Sequence, residues 1–117
     1  MAESILRSKS YKFSIIIVKL SQMLVSEKKE YVLSKQLLRS GTAIGALIRE
    51  AEFAQRKKDF VNKMSISLKE ANESVYWIDL LKDTNYIDKS RHKLLVSDCK
   101  ELVAMLVSSI KTTKSRI

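Results

Sequence analysis

Proline is absent from this chain, and glycine occurs only twice, at Gly41 and Gly45. Turn-rich β-architectures draw on both residues, so their scarcity argues against a sandwich or barrel and for long helices joined by short polar turns. There is one cysteine, Cys99. No disulfide can close within the chain and no thiolate cluster can hold zinc, which fits a reducing, cytoplasmic setting. Long apolar runs are missing too. The run near the N-terminus, 15-IIIV-18, falls far short of the ~20 residues that cross a bilayer. The basic stretch ahead of it is not expected to act as a secretion signal, because Lys19 interrupts the run and no small-residue cleavage site follows. The one histidine, His92, has no E-x-x-H motif ahead of it. Glu50, Glu70 and Glu73 therefore do not match the Glu-x-x-His pairs of di-iron bundles. Ser/His/Asp and Cys/His nucleophile arrangements lack motif context. The expectation is no enzyme, no metal and no cofactor.

What is present suits one globular domain over residues 1–117: 45% of residues are hydrophobic and 30% charged. Apolar spacing predicts four helices, at about 4–26, 34–55, 58–84 and 88–112. The first carries Ile5, Tyr11, Ile15, Ile16, Leu20, Met23 and Leu24 as its inward stripe. The second carries Leu37, Gly41, Ile44, Ile48 and Ala51, with Ser34 expected as its N-cap. The third has the cleanest heptad, Phe60, Met64, Ser67, Ala71, Ser74, Ile78 and Leu81, with Asp59 expected to cap it. The fourth begins near Asp88 and carries Leu95, Cys99, Leu102, Leu106 and Ile110. Short links force antiparallel neighbours, so the expected fold is an all-α, up-down-up-down four-helix bundle.

A glycine inside a helix costs about 1 kcal/mol relative to alanine, so two of them four residues apart call for a reason. Folding helices two and three into a hairpin places Gly41 opposite Ser74, Gly45 opposite Ala71, and Ile48 opposite Ser67. Gly41, Gly45, Ser67, Ala71 and Ser74 would then let two backbones approach closely. The alternative is one glycine lining a crowded spot and the other carrying no role. Neither belongs to a phosphate-binding loop. Helix three also carries Val61, Leu68, Val75 and Tyr76 beside its main seam, which reads as a subunit interface or as a wider core.

Three segments, 34-SKQLLRSGTAIGALIREAE-52, 58-KDFVNKMSISLKEANESVYWIDLL-81 and 84-TNYI-87, resemble a known family. It comprises the four-helix-bundle proteins encoded in intervening sequences of bacterial large-subunit ribosomal RNA genes. Gln36, Arg39, Ser40, Ile44, Ile48, Glu50, Ala51, Phe60, Lys69, Glu70, Ala71, Glu73, Tyr76 and Trp77 match its pattern. Ala43 stands where the family usually has Ser, and Leu47 where it usually has Asn. The resemblance covers residues 10 to 110. It implies a bundle that assembles as a homo-oligomeric ring, a homopentamer, and kinship to the accessory proteins of diversity-generating retroelements, which bind a reverse transcriptase and nucleic acid.

Charge adds a separate signal. The net charge is +9. Residues 1–40 hold 8 basic and 3 acidic side chains, residues 41–86 hold 7 and 7, and residues 87–117 hold 7 and 3. The excess thus falls on helices one and four, which predicts a basic face from Arg7, Lys9, Lys12, Lys19, Lys89, Arg91, Lys93, Lys111, Lys114 and Arg116. Charge reversal of Lys12 and Lys19 is expected to abolish binding through it. No RNA-recognition motif or Gly-rich clamp accompanies these residues, and Phe53, Phe60, Tyr76 and Trp77 read as core or interface. The expected function is non-catalytic binding of RNA or DNA through the backbone, with no membrane partner. The main rival is a protein-interaction scaffold whose lysines serve solubility; a membrane-surface binder through helix one is a third reading.

Overall fold

A computed structural model describes residues 2–117, with side chains from Ile5 onward. It contains four helices, α1 (Ala2–Lys28), α2 (Leu33–Glu52), α3 (Lys57–Asp83) and α4 (Lys89–Lys114), and no strand among the described residues. The molecule measures 47 × 21 × 20 Å, the proportions of long helices laid side by side. Contacts join α1 to α2, α2 to α3, α3 to α4 and α4 back to α1. Gly41 meets Ile17 and Gly45 meets Ser10 across α1 and α2. Arg39 meets Glu73 and Glu50 meets Lys63 across α2 and α3. Ala71 meets Cys99 and Asp79 meets His92 across α3 and α4.

The stripes read from α2, α3 and α4 form the core, except that Phe60 is only half-buried at its edge. The α1 stripe is different. Leu6, Ser10, Phe13, Ile17, Leu20 and Leu24 are buried, whereas Ile5, Tyr11, Ile15 and Ile16 are exposed and Met23 is half-buried. Apolar residues surround α1 on several sides, so more than one helical stripe fits its sequence. The true one also passes through a serine, which hydrophobic spacing passes over. Ser10 sits there by donating its hydroxyl to the Arg7 carbonyl at 3.0 Å.

Two expected caps are also displaced. Ser34 lies inside α2, and its hydroxyl donates to the Glu30 carbonyl at 2.7 Å. The helix start is held instead by the Glu30 carboxylate, which accepts from the N–H groups of Val32 (3.2 Å), Leu33 (3.1 Å) and Ser34 (2.7 Å). Three donors that the helix cannot satisfy internally thus share one buried anion. Asp59 lies in the first turn of α3 and pairs with Arg56 at 3.2 Å rather than capping. Asp88 does cap α4, accepting from Arg91 N–H at 2.8 Å.

The glycines face α1, not α3. A Cβ added at Gly41 would lie 2.9 Å from both Cγ1 and Cγ2 of Ile17, and one added at Gly45 would lie 3.3 Å from Ser10 Oγ. The close approach is therefore between α1 and α2. The α2–α3 seam is zipped by hydroxyls: Ser67 donates to the Ile44 carbonyl at 2.9 Å, and Ser74 and Ser40 hydrogen-bond at 3.0 Å. Equal distance from the turn had placed Ser67 against Ile48 and Ser74 against Gly41. The observed register differs by up to one helical turn, because the α2–α3 link is part of neither helix. Ala71 is buried, with its carbonyl accepting from the Cys99 thiol at 3.2 Å.

Burial, with the Asp98 charge adding to it, pushes the Cys99 thiol up to about 12. It stays protonated at neutral pH and behaves as a small core residue. Alkylation by iodoacetamide at pH 8 should be undetectable in the native protein and complete in denaturant, as read by mass spectrometry.

Candidate nucleic-acid interface

All ten basic residues expected on one face are exposed, but they do not share a face. Arg7 Nε lies 3.6 Å from Glu52 on the α2 side of α1. Lys9 Nζ lies 3.1 Å from Glu101 of α4. Lys12 lines the same α1–α4 groove as Lys9, a cavity of about 200 Å³ that also holds Asp98 and Glu101. Lysines and carboxylates are thus mixed along that groove. Arg91 borders a cavity shared with Glu27 and Asp88 near the α3–α4 turn. Arg116 borders one at the opposite end, beside Leu6 and Met105, and its carbonyl accepts from Lys57 Nζ at 3.0 Å. Lys19 stands alone on the outer side of α1.

The structure gathers a different set on α4. Asp98 and Glu101 turn towards α1, while His92 turns towards α3, its Nε2 lying 2.7 Å from Asp79. These contacts show which flank of the helix faces each neighbour. Lys89, Lys93, Lys100, Lys111 and Lys114 follow one another at spacings of four, seven, eleven and three residues. At about 3.6 residues per turn each step is close to a whole number of turns, so the five lie in one strip. That strip runs along the α3 flank of α4, away from Asp98 and Glu101. All five are exposed, and among the described residues none is held in an ion pair. Val96 and Val103, half-buried against the core, underlie the strip on its α3 side. α4 carries no Phe, Tyr or Trp, and its one imidazole, His92, is half-buried against Asp79.

Charge per segment points to α4 but groups it with α1 on adjacency alone, and it leaves Lys100 out. The strip spacing was the signal that could have found it.

The carboxylates of α2 and α3 are engaged. Arg39 sits between Glu70, at 3.3 Å, and Glu73, whose carboxylate also accepts from Trp77 Nε1 at 3.0 Å. Glu50 pairs with Lys63 at 2.9 Å. Val61, Leu68 and Val75 are half-buried and pack against the core, so within one chain they widen it. Tyr76 stands exposed, edge-on to Trp77 with ring centres 5.0 Å apart. The exposed apolar surface is concentrated on α1, where Tyr11, Ile15, Val18 and Val25 form an outward strip. The Arg49 guanidinium lies 5.1 Å from the centre of the Tyr11 ring, and both border a cavity of about 330 Å³ floored by Ser10, Ser14 and Gly45. Among the described residues no helix is long and apolar enough to cross a membrane.

Residues 2–108 match the family described as 23S rRNA-intervening sequence protein, and the chain belongs to that family. The chain is also similar to a protein of unknown function from the S23 ribosomal protein family of Bacteroides thetaiotaomicron VPI-5482, known from a crystal structure. The two are 50% identical and superpose with a TM-score of 0.94, over 95% of this chain and 99% of that one. No curated protein matches the chain.

Proposed function

We propose that this 23S rRNA-intervening sequence protein is a non-catalytic, cytoplasmic, homo-oligomeric bundle that holds nucleic acid, RNA foremost, by its phosphate backbone. The α4 lysine strip carries this reading. Five ammonium groups stand exposed in one line on a rigid helix, with no carboxylate interleaved, on a chain of net charge +9. Lysine is a flexible point charge suited to phosphate and poor at reading base edges, so binding is led by charge and tolerant of sequence. Fluorescence anisotropy of labelled structured RNA and duplex DNA, titrated across roughly 50–300 mM salt, tests it: affinity should fall linearly with salt on logarithmic axes. If neither ligand binds at the lowest salt, the lysines serve solubility and a protein partner takes precedence.

The bundle in this proposal runs up-down-up-down, supported by contacts in which residue numbers rise on one helix as they fall on the next. It assembles as a ring, most simply the pentamer that the family resemblance implies. A ring needs two different surfaces that meet head to tail. The α1 strip of Tyr11, Ile15, Val18 and Val25 supplies one. The α2–α3 face supplies the other: it shows Leu47, Ile66, Trp77 and Leu80 half-buried, among Glu50, Glu70 and Glu73. Leu47 is the apolar residue that replaces the family's usual Asn. The contact in this proposal joins α1 to the α2–α3 face rather than using Val61, Leu68 and Val75, and Tyr76 lies near it. The double substitution Ile15→Glu and Val18→Glu should yield monomers by light scattering with helicity unchanged. A ring mass that survives it removes α1 from the interface.

A further inference from the structure

We infer that the ligand of the α4 strip is a nucleic-acid duplex rather than an unpaired strand; this rests on the backbone-binding reading above and deepens it. Three observations converge. The strip is straight and rigid. From Lys89 to Lys114 it spans about 37 Å at 1.5 Å per residue. The midpoints of its end pairs, Lys89 with Lys93 and Lys111 with Lys114, are about 32 Å apart, close to the ~34–36 Å turn of a B-form duplex. A helix lying along a B-form duplex therefore meets the same strand at both ends, with Lys100 facing the stretch between; on an A-form duplex the same lysines follow the backbone without that register. A duplex presents a dense, pre-ordered line of charge, about one per 1.7 Å of its axis, to such a rod.

The second observation is what the strip lacks. Proteins that hold unpaired strands combine a cationic groove with aromatic platforms on which bases stack. α4 carries no Phe, Tyr or Trp, and its one imidazole, His92, is half-buried against Asp79. Tyr76, the exposed aromatic of α3, precedes the α3–α4 turn by more than two helical turns and stands edge-on to Trp77 rather than presenting a free stacking site. An unpaired strand would have to be straightened along the strip with nothing gained from its bases.

The third is shape. The strip lies on a convex helix surface. None of its five lysines borders the cavities beside α1, α2 or the helix ends described above. A convex line of point charges can follow a backbone but cannot enclose a base. RNA and DNA duplexes share the backbone chemistry that this surface takes.

The test uses the full chain in its native assembly, with three probes of equal length, roughly two duplex turns. They are duplex RNA, duplex DNA and an unstructured single strand, compared by anisotropy at ~100 mM salt. One duplex or both should bind at least ~10-fold more tightly than the single strand. In the Lys93→Gln, Lys100→Gln, Lys111→Gln variant that preference should fall towards unity, with helicity and assembly unchanged. In the Lys12→Gln, Lys19→Gln variant it should persist. A single strand that binds as tightly as the duplexes overturns the duplex assignment and leaves backbone binding standing. A preference that survives the α4 changes and is lost with the α1 changes overturns the site. Failure of all three probes overturns the functional reading itself.

Discussion

Gly41→Ala should destabilise the bundle by about 1–3 kcal/mol, although alanine is the better helix former by about 1 kcal/mol. The added methyl would lie 2.9 Å from two γ-carbons of Ile17, which is itself fully buried. Both γ-carbons are fixed by the same χ1 angle, and the β-branch leaves Ile17 little freedom to turn away. Relief therefore requires α1 to move off α2, opening a packed seam. Gly45→Ala is the internal control. Its methyl would meet Ser10 Oγ at 3.3 Å and the Ser10 carbonyl at 3.4 Å, close contacts that a few tenths of an ångström relieve. The propensity gain should offset that strain, leaving stability within about 0.5 kcal/mol of the parent. Urea denaturation reads both. Combining Gly41→Ala with Ile17→Ala should cost less than the sum of the single changes, because the truncated side chain vacates the space the methyl needs. A Gly41→Ala protein as stable as the parent or more so would mean that α1 and α2 do not approach as closely as described.

Reversing three charges on α4, Lys93→Glu, Lys100→Glu and Lys111→Glu, should weaken duplex binding by at least ~100-fold near 100 mM salt. The three positions are exposed, so the fold has no reason to respond, and circular dichroism should be unchanged. Reversal of Lys12 and Lys19 on α1, which the sequence alone marked as decisive, should have a much smaller effect. Lys12 shares its groove with Asp98 and Glu101, so its charge is already partly offset. Should the α1 pair prove decisive and the α4 triple neutral, the binding face lies in the α1–α4 groove instead.

Much of the fold was legible because on α2, α3 and α4 one apolar stripe is longer and more regular than its rivals. Leu95, Cys99, Leu102, Leu106 and Ile110 form that stripe on α4, and all five are buried. α1 was not legible. Its surplus of exposed Ile, Val and Tyr makes several rotations equally apolar, and the deciding residues include the buried serine Ser10, whose hydrogen bond is invisible to hydropathy. The same uncertainty carried into the site. Adjacency of α1 and α4 follows from topology, but which flank of each helix a lysine occupies depends on rotation. Which neighbour each flank meets shows only in Glu101 meeting Lys9 and His92 meeting Asp79, contacts distant in sequence. The glycines show a related limit. Their spacing announced a close approach, but only the α1 residues opposite them reveal which helix approaches.

The most direct test of the central claim compares salt dependence in two proteins, the parent and the Lys93→Gln, Lys100→Gln, Lys111→Gln variant, on one duplex. Each lysine removed from a phosphate contact lowers the slope of log affinity against log salt by about 0.9 on B-form DNA. The α4 strip predicts a slope shallower by about 2.7 in the variant, together with weaker binding at low salt. An unchanged slope would mean that these lysines do not touch phosphate, and that the charge on α4 serves something other than nucleic acid.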